Sequence, residues 1–173
     1  MLALLVVSLA VLGCGKEKEE DEADSFSFVV YPNARYLPQL TDLTKQAHKV
    51  LKPQEPEAPP TAIYDTDASV EDVANFYAKA YGYSNVAPDA TNNLSSAKPP
   101  AYYRNGDLQT DNAGIGPILE KLHVKSDLSK AQGQYKAAEI APKPNRPRVT
   151  VQRPYFDVAN SQVVNKTIIL MSR

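Results

Sequence analysis

The 173-residue chain has no tryptophan, one cysteine, two histidines and seven glycines. It also lacks any apolar run of the about 18 residues that a membrane-crossing helix needs. A single cysteine removes any intramolecular disulfide framework and any cysteine-based zinc cluster, and His48 and His123 lie too far apart in sequence to suggest a ligand pair. No metal and no cofactor is expected. Charge of one sign is missing too, since 19 Lys and Arg stand against 20 Asp and Glu, a formal net charge of -1. With neither a basic helix nor an aromatic-rich RNA-binding pattern, nucleic acid is not an expected partner. Nucleophile-elbow, P-loop, dinucleotide and metalloprotease patterns are absent as well, so no catalytic residue is assigned. What remains is an ordinary foldable composition, 43% hydrophobic and 23% charged, with 14 prolines.

The first informative segment is the apolar run over residues 2–12, broken only by Ser8 and followed by Gly13 and Cys14. As a helix it would rise only about 16 Å, half of the about 30 Å hydrocarbon core of a bilayer. It reads instead as the apolar part of a secretory signal peptide. Val11-Leu12-Gly13-Cys14 resembles the lipobox of bacterial lipoproteins, in which an aliphatic and a small residue precede a cysteine. The resemblance implies that the Cys14 thiol receives diacylglycerol and that cleavage falls between Gly13 and Cys14. The new amino terminus would then be acylated as well, with palmitate or a similar chain. Met1 is followed directly by Leu2 where the family usually has Lys or Arg, so either the true start lies upstream or the amino terminus supplies the only positive charge ahead of the run.

Residues 16–24, KEKEEDEAD, set two lysines against six carboxylates, a net of -4. Such a segment stays solvated and extended, and as a tether would hold a domain up to roughly 30 Å from its anchor. Gly15 is not the Asp that retains lipoproteins in the inner membrane of enteric bacteria, so the resemblance implies an outer-membrane address facing the periplasm in an organism that has an outer membrane. The expected organisation is a signal peptide over 1–13, a lipidated cysteine with acidic tether over 14–24, and one domain over 25–173.

Within that domain, Phe28-Val29-Val30-Tyr31 predicts a strand ended by Pro32-Asn33. Leu40, Leu43, Ala47, Val50 and Leu51 recur at helical spacing, predicting a helix from about Thr41 to Leu51 that Pro53 ends. Residues 52–60, with four prolines, predict an extended loop, and 61–66 a short strand. Ser69 as N-cap, Asp72 three residues on and Gly82 as terminator bracket a helix from Val70 to Tyr81 with one apolar stripe. Residues 84–100 form an expected exposed connection. Asn105-Gly106 is the dipeptide best suited to a two-residue hairpin turn between strands over 101–104 and 107–110. Gly116-Pro117 begins a short helix through Ile118, Leu119 and Leu122. Residues 134–140 read as either strand or helix, with strand preferred; 148–153 and 163–171 predict strands, the last apolar on both faces and so central, with 157–162 joining these two as an antiparallel pair. Strands gathered late and helices early define an α+β class, a small antiparallel sheet packed with two or three helices.

A second resemblance lies here. Tyr31-Pro32-Asn33-Ala34, and Asp67-Ala68-Ser69-Val70-Glu71-Asp72-Val73-Ala74-Asn75-Phe76-Tyr77, are similar to segments of many small bacterial lipoproteins. Those carry a Tyr-Pro-Gly-Ala-like piece and a helix of the form Asp-Ser-x-Glu-x-Val-x-x-Phe-Tyr. The match covers about a third of the chain in capping and packing residues, and implies a small α+β fold without an activity.

Candidate binding residues are Arg153 and Tyr155, in a grouping of guanidinium, aromatics and Asp157 just after a strand, together with Tyr102 and Tyr103. A strand end with Arg153 paired to Asp157 and its aromatics in the core is the blander alternative. Residues 143–173 hold six basic side chains against Asp157, a net of +5, suited to anionic headgroups or an acidic envelope polymer and equally to a solvated face. The leading expectation is a membrane-anchored envelope lipoprotein acting as a non-catalytic binding or assembly module for an envelope protein or polymer. A small-ligand carrier or sensor with an aromatic-lined cleft comes second, and a hydrolytic enzyme last.

Overall fold

The computed structural model describes residues 28–55, 57–88 and 98–173. Gly13, Cys14, the charged run and most of the 84–100 connection lie outside the described residues. The elements run β1 (Arg35–Tyr36), α1 (Pro38–Leu51), β2 (Thr61–Thr66), α2 (Val70–Ala80), β3 (Ala101–Asp107), α3 (Leu108–Asn112), α4 (Gly116–Lys121), a 3-10 turn at Leu128–Lys130, β4 (Gln134–Ile140), β5 (Arg148–Arg153), β6 (Tyr155–Asp157), β7 (Gln162–Val164) and β8 (Thr167–Ser172). Six strands form one antiparallel sheet in the order β1-β2-β8-β5-β4-β3, and β6 and β7 form a separate hairpin. The α+β class expected from the sequence is thus the one observed, with four helices among the described residues, two of them only five and six residues long.

Strand alternation divides the sheet into two unlike faces. Val149, Val151, Ala138, Ile140, Ile169 and Met171 all turn to one side and are fully buried beneath α2. That helix offers Val70, Val73, Ala74, Tyr77, Ala78 and Tyr81, the spacing of a single stripe about 100° wide. Its ends are capped as the sequence predicts. Ser69 Oγ accepts from the Asp72 N–H at 3.1 Å. At the other end Gly82, at φ +73°, lets Tyr83 N–H reach Ala78 C=O at 2.8 Å and its own N–H reach Lys79 C=O at 3.0 Å. The opposite face is covered in pieces, by α1 against β2 with α4 packed on α1, and by a smaller cluster of Leu108, Ala131, Tyr135, Ala137 and Phe156 near β3 and β4.

Four local expectations change. Residues 28–31 are not a strand; Tyr31 N–H donates to the Tyr77 hydroxyl at 3.2 Å and the Tyr31 ring packs edge-on to Phe76. The segment then turns at Pro32-Asn33, where Asn33 takes φ +59° and Ala34 N–H bonds Tyr31 C=O at 3.1 Å. A type II turn needs positive φ at that position, which glycine takes most readily and asparagine more readily than other residues. The α1 helix begins three residues early, with Pro38 at its first position. Asn105-Gly106 is no turn: both residues lie inside β3, paired with Lys136 and Tyr135, and residues 108–110 begin α3. Finally, 163–171 divides into β7 and β8. The 157–162 segment closes the β6–β7 hairpin, while β5 and β8 do pair antiparallel with Val151 opposite Ile169.

The edge of β2 is finished by unlike means along its length. Arg35 and Tyr36 pair with Asp65 and Tyr64. Beyond them Leu37 N–H donates to Ile63 C=O at 2.8 Å, and the Thr41 hydroxyl accepts from Ile63 N–H at 3.0 Å while donating to Leu37 C=O. The fully buried Thr41 therefore replaces a strand partner with a side chain and pins the start of α1 to the sheet margin.

Candidate functional site

That pin fixes the start of α1 against β2, and the rest of the helix is only partly covered. Thr41 is its only fully buried residue, whereas α2 has five. Leu40, Leu43, Ala47 and Leu51, at i, i+3, i+7 and i+11, overhang β2 and β8 as one wall of a groove. Ile115, Ile118, Leu119 and Leu122, on and around the short α4, form the other wall. Ile63 and Ile168 are its floor, and Phe156 and Val158 close one side. Leu51 is 60% exposed. The groove encloses about 370 Å³, within the about 300–1,000 Å³ of small-molecule sites. Its one polar side chain, Thr44, donates to Leu40 C=O at 2.9 Å within its own helix. Leaving this much aliphatic surface uncovered forgoes about 25 cal/mol per Å² of burial. A ligand without polar needs recovers it.

Two polar clusters lie elsewhere. Asp65 of β2 is 1% exposed and takes a two-pronged hydrogen bond from Arg35 across the strand pair, Nε to Oδ1 at 3.0 Å and Nη2 to Oδ2 at 2.6 Å. The Tyr155 hydroxyl donates to the same Oδ2 at 3.2 Å. Burial pushes the Asp65 carboxyl up, but the hydrogen bonds and charge of Arg35, helped by Tyr155 and Lys166, outweigh it and hold the carboxyl below its ordinary value. Burial pushes the Tyr155 phenol strongly up, so it stays a donor. A cleft of about 400 Å³ opens beside Arg35 and Tyr155. The Asp157 carboxylate on its wall is occupied by Ala159 N–H at 3.0 Å and the Asn160 side chain at 2.8 Å. The arrangement ties β1, β2 and β6 together and is a strut.

On the half-covered sheet face, Arg104 Nε donates to Glu139 Oε1 at 3.3 Å, and Thr150 donates to Glu139 Oε2 at 2.9 Å. The Tyr135 hydroxyl accepts from Arg104 and donates to Asp111, its ring lying under the guanidinium at 5.2 Å. Gly106 makes room for that ring, since a Cβ there would overlap it. Gly106→Ala should therefore cost about 1–3 kcal/mol by overpacking. Urea unfolding reads the loss. A neutral effect would mean that Tyr135 swings clear without cost.

The sequence-chosen residues are dispersed. Arg153 does not meet Asp157; its Nε donates to Asn165 Oδ1 at 3.1 Å and its Nη1 to Asp67 C=O at 2.9 Å, fastening the end of β5 to the loop before α2. Tyr155 and Phe156 are 4% and 8% exposed. Tyr102 and Tyr103, neighbours in β3, turn to opposite faces: Tyr103 packs against the α2 core beside Lys136, and Tyr102 lies by Lys98. One cleft on one face cannot take both. The basic 143–173 stretch divides likewise, with Lys166 3.3 Å from Asp67 near Arg153, while Lys143 and Arg146 share a turn ahead of β5. His48 Nε2 stands 3.8 Å from Glu55, and His123, at φ +54°, occupies the left-handed position ending α4. Sequence reasoning missed the groove, because an apolar stripe at helical spacing reads alike whether a neighbour seals it or not.

Among the described residues no group of three His, Cys, Asp or Glu is placed to hold a metal ion, and no helix is long and apolar enough to cross a membrane. Comparison with protein-family models, with curated proteins and with solved structures gives no match.

Proposed function

We propose that the chain is a lipid-anchored binding module of the bacterial envelope, without catalysis, whose domain holds an apolar ligand at the end of an acidic tether. The observation that carries the binding half is the groove between α1 and α4, of ligand size and lined by apolar side chains and one threonine, with no titratable group among them. A general acid or base has no place in such a lining. The anchor half is supported by Val11-Leu12-Gly13-Cys14 and the charged run after it. Two or three acyl chains would hold the domain at a bilayer, each methylene contributing about 0.8 kcal/mol. The small-ligand reading, second in expectation, joins the envelope-module reading here, with an apolar groove in the role first given to tyrosines.

Mass spectrometry of the amino-terminal peptide, on protein taken from its native membrane fraction beside a Cys14→Ser variant, tests the anchor. The expected peptide begins at a diacylglycerol-modified Cys14, and the variant leaves the membrane. An unlipidated peptide retaining Met1 would overturn the envelope assignment.

A further inference from the structure

Where α2 ends, the domain carries charge of one sign. Lys79 stands on the last turn of that helix, and the β4–β5 loop packed against the same turn carries Lys143 and Arg146. Two tyrosines join helix and loop. The Tyr81 hydroxyl donates to Pro147 C=O at 2.9 Å, the Tyr83 hydroxyl donates to Ala141 C=O at 3.1 Å, and Lys143 Nζ lies 4.7 Å from the Tyr83 ring. Burial pushes the Tyr81 phenol up to about 12 and the Arg146 charge pulls against it, which puts the guanidinium near that hydroxyl. Residues 73–88 and 140–156, the two segments that meet here, contain neither Asp nor Glu. Among the described residues none of the three cations forms an ion pair. Arg146 Nη1 is buried without a hydrogen-bond partner among those residues, although a buried guanidinium N–H calls for an acceptor.

One segment of the chain has the complementary character. Residues 16–24 set six carboxylates against Lys16 and Lys18, and the chain enters the described domain at Phe28, which packs against the core cluster that includes Tyr81. The run is within reach. Tyr31 N–H meets the Tyr77 hydroxyl at 3.2 Å, and the Tyr77 and Tyr81 rings lie 6.4 Å apart. With the Tyr81 contact to Pro147, about 20 Å separates Tyr31 from the basic loop, and the seven residues back to Asp24 span up to about 25 Å. We propose that the acidic run 16–24 docks on the basic surface of Lys79, Lys143 and Arg146, folding the tether back along α2 in place of an extended spacer. Joined to the domain by a few residues, the run acts at an effective concentration on the order of millimolar, an advantage that a separate acidic partner or an anionic bilayer lacks. Exposed ion pairs are individually weak and screened by salt, so the contact is reversible, and its release restores the tether's full reach. The inference goes beyond the function proposed above and requires neither a lipid on Cys14 nor a ligand in the groove.

The test is paramagnetic broadening in the full-length chain. Cys14→Ser removes the sole cysteine, and Ala23→Cys then carries one nitroxide label inside the acidic run. At about 20 mM salt, where charges act over long distances, the label should broaden the amide signals of Lys79, Lys143 and Arg146, and at about 0.5 M salt the broadening should be lost. Lys79→Glu with Lys143→Glu, both surface changes, should abolish it at low salt. Lys49→Glu on α1, also a cation replaced by an acid but remote from this end, should preserve it. Thermal unfolding midpoints report that each variant folds. Broadening confined to residues beside Phe28 under all conditions would overturn the proposal, and so would broadening that neither salt nor the double variant changes. If the label shows no docking while the chain cosediments more strongly with phosphatidylglycerol than with phosphatidylcholine vesicles, and the double variant loses that difference, the basic surface belongs to a bilayer and the proposal falls.

Discussion

Arg35→Ala is expected to destabilise the domain by about 3 kcal/mol at neutral pH, and Asp65→Asn, at the other end of the same contact, by only about 1 kcal/mol. The inequality follows from position. Arg35 is 66% exposed and Asp65 is 1% exposed, so losing Asp65 leaves a guanidinium in water, while losing Arg35 leaves a carboxylate out of it. The figure sits at the low end of the range for broken buried pairs because one partner already reaches solvent. The pH dependence carries a sign that separates this account from simple loss of packing. In the native chain Asp65 ionises below its ordinary value, so its contribution is complete above the ordinary aspartate pKa of about 4 and fades as pH falls below it. Without Arg35 the largest remaining influence is burial, which raises the carboxyl. The variant's native state then takes up a proton before its unfolded state does, which relieves the penalty as the solution is acidified. Urea unfolding of both proteins between pH 7 and pH 4 should show the gap narrowing. A gap constant across that range would mean that Arg35 acts through packing alone.

Ile169→Ala should cost about 3 kcal/mol, and Leu170→Ala, one residue along the same strand, about 1 kcal/mol. Ile169 is fully buried beneath α2, its strand position flanked by Val151 of β5 and Tyr64 of β2. Leu170 faces the half-covered side and is only partly buried, so its deletion removes contacts that water already shares. Chemical denaturation of the two variants decides the point. Equal costs would show that the second face is packed as tightly as the first, which would also deny the α1–α4 groove its openness.

The two faces explain which parts of this fold can be read from sequence. The α2 helix is legible to within a residue because its signals act over a single turn: a serine accepting from an N–H three residues on, a glycine where φ is positive, a stripe every three to four residues. The same holds for Thr61–Thr66 and Arg148–Arg153, while Gln134–Ile140, readable as either strand or helix, is fixed as a strand by pairing with β3 and β5. Asn105-Gly106 misleads because the same glycine that suits a tight turn also suits close approach, and what approaches it is Tyr135, 29 residues away on the neighbouring strand. Residues 28–31 look like a strand because they are apolar and β-branched, yet their burial comes from Phe76 and Tyr77 on a helix and not from a strand partner.

The candidate site divides along the same line. Its residues were legible as a helix stripe on α1 and a short apolar helix at α4, and their charged neighbours were plain to count. That the two stripes face each other across a gap is a matter of where α1 is pinned, and the pin is a Thr41 hydroxyl on the Ile63 amide, 22 residues apart. Capping, periodicity and turn chemistry are local, so the amino-acid order alone settled the α+β class, the main helices and most strands. Strand order, the buried Arg35–Asp65–Tyr155 contact and the open groove depend on distances between residues far apart in the chain. Those distances exist only once the sheet has closed, and tertiary structure alone decided them.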